Sequence, residues 1–289
     1  MDDNLCLCLH CIRSDRDPEP KAHRELFLTP GELEALFASL RDEGYRFALP
    51  GESEAKDGPV CCVTFDDGYR NNRHFLETAE QFGIPFILFL NSYNVVHQVP
   101  FIWDIWEATR TQPWPVSSVS YRRLYESLTP EERSLLHNDA HRPFTPEELE
   151  TFAAHPLVHL APHGHTHQPL VGRYREKAGV ELDENLAFLE RYRGVLREEF
   201  SLPCGLYTRK LTQALLARFT RIYTIDGGRF SPKDRVIHRI SLVHPDYGGP
   251  LREQIRNSFG AKARLMRKAQ NLRYSNRLLS RLSLFGMAP

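Results

Sequence analysis

The stretch Val60-Cys61-Cys62-Val63-Thr64-Phe65-Asp66-Asp67-Gly68 is an apolar run that ends on two acids and a glycine. Its first six residues read as a short strand buried on both faces, the pattern of a parallel sheet covered by helices. The strand delivers Asp66 and Asp67 at its C-terminal end. Two adjacent carboxylates repel each other and lose hydration unless a cation or a hydrogen-bond donor compensates them. Neighbouring side chains also point in different directions, so one acid can hold a metal while the other faces water. Taken alone, the pair reads first as solvated acids that open a turn.

Upstream, residues 4–12 read as a first strand, with Leu5, Leu7 and Leu9 alternating with Cys6, Cys8 and His10 at the strand period. That alternation argues against a zinc cluster of Cys6, Cys8, His10 and Cys11 and for buried thiols, as at Cys61 and Cys62. Thr29-Pro30-Gly31-Glu32 opens a helix with a capping residue, a proline at the first position and Glu three residues past the cap. Leu33, Leu36, Phe37 and Leu40 follow at helical spacing, and Gly44 ends the helix. Downstream, a helical stretch carries Phe75, Leu76, Ala79 and Phe82 and stops at Gly83. Residues 85–90 form another buried strand.

Residues 93–144 are irregular and hold Trp103, Trp106 and Trp114. They read as an insertion that caps or walls a cleft. Thr145-Pro146-Glu147-Glu148 starts a helix that ends near His155. Val158-His159-Leu160 is a short strand. A long helix is expected over 177–199, another over 209–219, and strands at 222–225 and 236–243. Strands alternating with helices predict parallel β/α units that close into a barrel, with the chemistry on loops at the C-terminal strand ends.

The second candidate stretch follows the strand at 158–160: Pro162-His163-Gly164-His165-Thr166-His167. Imidazoles at i and i+4 converge on one cation where the segment turns. A regular strand would instead align His163, His165 and His167, but Pro162 and Gly164 disfavour one. The turning reading leaves His165 on the rim or behind the ligands. With Asp67, the pair His163 and His167 makes a set of two imidazoles and one carboxylate with coordination positions open to water and substrate. Such a metal acidifies water and polarises a carbonyl. Asp66 would then take the proton, and the chemistry expected is hydrolysis of an amide or ester.

The chain has 289 residues, a formal net charge of zero and 41% hydrophobic residues, enough for one large α/β domain and without an overall pull toward nucleic acid. The start, MDDNLCLCLHCI, has no basic segment and no long apolar segment, so no signal peptide and a cytoplasmic location are expected. The domain is placed at 1–260 with its insertion at about 93–144. Residues 261–289 carry Lys262, Arg264, Arg267, Lys268, Arg273, Arg277 and Arg281 without an acid. They read as a basic amphipathic helix that either docks with a solvated basic face or lies on an anionic membrane surface.

The two stretches together resemble the polysaccharide deacetylase family, also called the NodB-homology family. Its first motif, T-F-D-D-G, is matched by Thr64-Phe65-Asp66-Asp67-Gly68, and its second, H-[ST]-x-x-H, by His163 through His167 with Gly164 at the Ser/Thr position. Its F-x-x-P-[YF]-G segment is similar to Phe200-Ser201-Leu202-Pro203-Cys204-Gly205, with Cys204 in place of an aromatic and Ser201 where some members carry arginine. Arg239-Ile240 resembles a late R-I-x-V segment.

The resemblance implies a distorted (β/α)7-type barrel with an irregular insertion and a C-terminal helical tail. It implies Asp66 as the base, Asp67, His163 and His167 as ligands of one divalent metal, and the backbone N–H of Cys204 as a donor to the oxyanion. Zinc is the first expectation, with other first-row divalent metals also suited to the set. No clear motif anchors the general acid; His10, His238 and His244 are its candidates. Trp103, Tyr69 and Pro203 are the residues expected to contact substrate. The implied reaction removes an acyl group, N-acetyl first, from a sugar or from a glycan precursor carried on a nucleotide or lipid. The alternatives are a deformylase acting on a formylamino sugar, and a non-catalytic member that binds glycan or a partner protein.

Overall fold

The computed structural model describes residues 4–15, 17–52, 58–111, 114, 119–135, 138, 140–260 and 265. Eight short strands build the barrel: β1 (Leu5–Leu9), β2 (Val60–Phe65), β3 (Phe86–Leu90), β4 (Val158–Pro162), β5 (Glu199–Ser201), β6 (Arg221–Thr224), β7 (Val236–His238) and β8 (Ile240–Ser241). Every pairing among them is parallel. One run of neighbours is β8-β1-β2-β3-β4 and another is β7-β6-β5. Two joins bring the runs together. Val195 and Arg197, just before β5, exchange backbone hydrogen bonds with Leu160 of β4. Arg239 alone separates β7, which pairs with β6, from β8, which pairs with β1. The result is a distorted barrel of parallel strands.

The continuous apolar runs follow from burial on both faces. Leu5, Leu7, Cys61, Val63, Phe86 and Leu88 pack outward against helices such as α1 (Pro30–Asp42), while Cys6, Cys62, Ile87, Phe89, Ala161, Tyr223 and Ile237 fill the interior. All six cysteines are free, and five are buried. The helix starts at Thr29 and Thr145 both form complete capping boxes. The latter opens α2 (Pro146–Ala153).

Several boundaries differ from expectation: the helix expected over 209–219 is Arg209–Leu215, and the strand expected over 236–243 breaks at Arg239. The helix expected over 177–199 is α3 (Ala178–Leu189), and a single tight turn, Glu190–Tyr192, follows it. Residues 195–201 are needed as backbone partners for Leu160 and Tyr223, whose buried polar groups would otherwise go unpaired. Tertiary pairing therefore outweighs local helical periodicity there. The strand expected over 4–12 is interrupted at His10, whose carbonyl turns to accept from Asn72 Nδ2 at 2.6 Å. In the insertion, short helices carry a separate aromatic cluster that includes Phe101, Trp103, Tyr121 and Tyr125. The basic stretch 261–289 lies outside the described residues except Leu265, which is exposed. Among the described residues no helix is long and apolar enough to cross a membrane.

Candidate metal centre and active site

Strand alternation decides which side chains meet inside the barrel mouth. On β2 the inward phase is Cys62, Thr64 and then Asp66; on β4 it is Ala161 and then His163; on the β7–β8 run it is Ile237 and Arg239. Asp66 continues the sheet through its N–H, which donates to the Leu9 carbonyl at 3.0 Å. Asp67 then turns left-handed at φ 75, and Gly68 follows at φ 93. A Cβ on Gly68 would lie 2.2 Å from Leu90 Cδ1, so both the backbone angle and the space demand glycine. The turn separates the two carboxylates, and Asn91 Nδ2 donates to Asp67 Oδ1 at 3.2 Å.

The histidine segment turns rather than running as a strand, with Gly164 at φ 86 and His167 at φ 62. Helix α3 pins it. Asn185 Oδ1 accepts from the N–H groups of His163 and Gly164, both at 3.1 Å. Glu181 accepts from the Thr166 N–H and hydroxyl, both at 2.8 Å. These bonds do the supporting work at a loop where Gly164 has no hydroxyl to offer. His163 Nδ1 lies 2.9 Å from the Ser201 carbonyl, which assigns the proton to Nδ1 and leaves the Nε2 lone pair free. His165 is buried and not on the rim; its Nδ1 meets the Ser92 hydroxyl at 2.8 Å, behind the other two rings.

Asp67, His163 and His167 converge with their ligating atoms within 4.8 Å of one another. Asp67 Oδ1 lies 3.5 Å from His167 Nε2 and 3.7 Å from His163 Nε2. Burial holds both imidazoles below their ordinary range, so they are neutral and present lone pairs. Burial and the charges of Asp66 and Asp104 push the Asp67 carboxyl well above the usual carboxylate range. A compact set of two neutral imidazoles and one carboxylate, with no cationic side chain bonded to that carboxylate among the described residues, fits a divalent cation.

Asp66 stands beside this set, its Oδ2 3.5 Å from His163 Nε2. Burial alone would raise its carboxyl, but the Arg239 guanidinium and His163 outweigh that and hold it well below the usual range. Arg239 is fully buried and donates from Nη1 to Asp66 Oδ1 at 2.6 Å and from Nη2 to Oδ2 at 2.7 Å. The same guanidinium also reaches the hydroxyls of Thr64 and Ser201. Arg239 is the residue that sequence reasoning missed as part of the site. Its signal was the inward phase of Ile237, Arg239 and Ser241. Cys8, His10 and Asp66 also converge within 4.8 Å. They do not form a second metal set, because Arg239 already neutralises Asp66 and burial pushes the Cys8 thiol up.

These groups open onto a cavity of about 190 Å³. Asp66, Asp67, His163, His167, Cys204, Trp103 and Trp114 line it, and so do His10 and His23. Trp103 lies against His167, ring centroids 4.5 Å apart. Tyr69 is buried behind that wall. Its hydroxyl accepts from Trp103 Nε1 and donates to Asp104 Oδ2, both at 2.9 Å, so it positions the indole and does not line the cavity. Pro203 packs toward Gly164, likewise off the lining. Cys204 takes a left-handed turn at φ 56. Of the three candidate acids, only His10 lines the cavity. His238 bonds the Thr224 hydroxyl at 2.9 Å, and His244 caps the short helix Pro245–Gly248. His244 also meets the Tyr247 ring edge-on, so the contacts of both histidines lie away from the cavity lining.

Fold and site together define a parallel α/β barrel hydrolase with a two-histidine, one-carboxylate pocket at the C-terminal strand ends. The family model for polysaccharide deacetylase matches residues 53–218. The chain belongs to the polysaccharide deacetylase family. In solved structures it is similar to a de-N-acetylase from Aggregatibacter actinomycetemcomitans (14% identity, TM-score 0.62, 89% of this chain and 99% of that one). It is also similar to IcaB from Ammonifex degensii (18% identity, TM-score 0.60, 88% and 98%). A third similar structure is the deacetylase PplD from Streptococcus pyogenes, in complex with acetate (14%, TM-score 0.60, 89% and 98%). No curated protein matches the chain by sequence. Membership supports a carbohydrate deacetylase that hydrolyses amide bonds on acetylated glycans. Deacetylases of this type are generally metal-dependent, in keeping with the Asp67, His163 and His167 set.

Proposed function

We propose that the chain is a divalent-metal-dependent N-deacetylase of an acylated amino sugar. The observation that carries the reading is the convergence of Asp67, His163 and His167 within 4.8 Å, with an ionised carboxylate, Asp66, beside them. A divalent cation held by that set would acidify water and polarise the acyl carbonyl. Zinc suits the nitrogen-rich donors best. Asp66 accepts the proton of the attacking water. Arg239 and Ser201 fix the orientation of that carboxylate. The backbone N–H of Cys204 donates to the oxygen that gains charge as water attacks the acyl carbon. Trp103 and Trp114 give the sugar an apolar wall.

The sugar is proposed to be a precursor carried on a nucleotide or lipid phosphate and met in the cytoplasm. The basic stretch 261–289 motivates this. Retention of the full chain on anionic but not on neutral vesicles supports the lipid form; equal behaviour on both removes it.

The deciding experiment measures bound metal and released acetate for the wild type, Asp66→Asn and His167→Ala. Metal stays in the first variant and leaves in the second, and both lose acetate release. Release of formate in place of acetate from acylated amino sugars would reassign the acyl group. Metal bound equally by His167→Ala and wild type would sink the reading.

A further inference from the structure

Within the reading of an amide-hydrolysing site, we infer that His23 is the general acid that protonates the departing amine, supplied from the loop between β1 and α1. Three geometric observations carry this. First, His23 lines the cavity shared by Asp66, Asp67 and Cys204. Second, its ring is fixed at one end by carboxylates. Nδ1 lies 2.8 Å from Glu107 Oε2 and 3.1 Å from Glu25 Oε1, and its backbone N–H donates to Glu107 Oε1 at 3.1 Å. Third, Nε2 is buried and has no partner among the described residues. With Nδ1 held by carboxylates, the proton on Nε2 has no partner among the described residues, in a ring that lines the cavity. The backbone supports the placement: His23 is held left-handed at φ 46 and ψ 45, a conformation uncommon for non-glycine residues and retained where the surroundings enforce it.

Charge separates His23 from its neighbour His10. Burial would lower His23, but its hydrogen bond to Glu25 and the charges of Asp104, Glu107 and Glu25 raise it to about 9. It therefore carries a proton at neutral pH. Burial lowers His10 to about 4, so that ring is neutral and has none to give. His10 also has a ring nitrogen within 4.8 Å of an Asp66 carboxylate oxygen, on the side of the base. An acid standing there would exchange its proton with the base.

The step balances as follows. The water oxygen bonds to the acyl carbon while its proton passes to Asp66. The C–N bond then breaks and its electron pair goes to nitrogen. Nitrogen takes the Nε2 proton of His23. Carboxylic acid and amine leave, Asp66 releases its proton to solvent, and His23 regains one from solvent.

The test uses the full chain loaded with zinc and two substrates. An acetylated amino-sugar oligomer has an amine leaving group that needs a proton. 4-Nitrophenyl acetate has a phenolate that leaves without one. For His23→Gln, kcat on the amide falls by about 100-fold or more, the usual scale of general acid catalysis, while the ester rate falls far less and bound zinc is unchanged. The ring of His23, followed by NMR, titrates near 9. Glu107→Gln, a change at a partly exposed residue, moves both that titration and the alkaline limb of the amide pH profile to lower pH. Equal losses on both substrates for His23→Gln would overturn the assignment, as would selective loss of the amide in His10→Gln instead. So would an alkaline limb that Glu107→Gln does not move. Wild-type protein that binds no metal and cleaves neither substrate would instead sink the deacetylase reading itself.

Discussion

Arg239 clasps Asp66 through two parallel hydrogen bonds, 2.6 Å to one carboxylate oxygen and 2.7 Å to the other, with Arg239 fully buried and Asp66 nearly so at the edge of the cavity. A paired buried charge is tolerated, but one left alone is costly. Arg239→Met should therefore destabilise the fold by about 3–5 kcal/mol, and a second change, Asp66→Asn, should recover part of that loss. Urea unfolding of the two single variants and the double variant measures the coupling. Strictly additive losses would show that the two residues do not depend on each other.

The same pair explains what the sequence made legible. Asp66, Asp67, His163 and His167 sit in two short local patterns, each at the end of a buried strand, so their chemistry could be read from neighbours in the chain. Arg239 is 173 positions from Asp66 and meets it only because two strands share an inward phase. The local pattern marked Arg239 through its match to a late family segment, but not its partner, which follows from the register of strands far apart in the chain. The capping boxes at Thr29 and Thr145 were legible for the opposite reason: all their partners lie within three residues. The segment after α3 was misread because its helical spacing is real, yet Leu160 needs backbone partners there. His23 belongs to no motif, and its role rests on Glu107, an insertion residue 84 positions away.

Asn185 ties the histidine loop to α3. Its Oδ1 holds two N–H groups of the loop, and its Nδ2 donates to the Leu90 carbonyl and the Ser92 hydroxyl. Asn185→Leu leaves buried donors unpaired, at about 1–3 kcal/mol each, and lets His163 drift from Asp67. Zinc affinity should fall by about 10–100-fold, as for other residues that orient ligands from behind. Competition with a chromogenic chelator reads it. Lower stability with unchanged affinity would confine Asn185 to a packing role.

Zinc should stabilise the folded chain, because the three ligands converge only in the fold. At 100 times its dissociation constant, a ligand that binds only the native state contributes about 2.7 kcal/mol. Thermal unfolding with and without zinc should show that gain in the wild type and in Asp66→Asn, and show none in His167→Ala. A gain that survives His167→Ala would locate the ion elsewhere.

The imidazole of His23 also makes stability depend on pH, with a definite sign. Burial opposes its charge, but Glu25, Asp104 and Glu107 raise it from 6.5 to about 9. Below pH 6.5 the ring is protonated in folded and unfolded chains alike, so its stabilisation is fully present. Between 6.5 and about 9 only the folded chain keeps the proton, and stability declines; above that range the contribution is gone. The shift corresponds to at most about 3 kcal/mol. His10, lowered to about 4, acts in the opposite sense and lower down, adding stability as pH rises from 4 to 6.5. Urea unfolding should therefore find the wild type losing stability from pH 6.5 to about 8, below the range where the buried cysteine thiols ionise in the unfolded chain, and His23→Gln losing much less across that window. A wild type that gains stability there would mean that the carboxylates around His23 do not hold its charge.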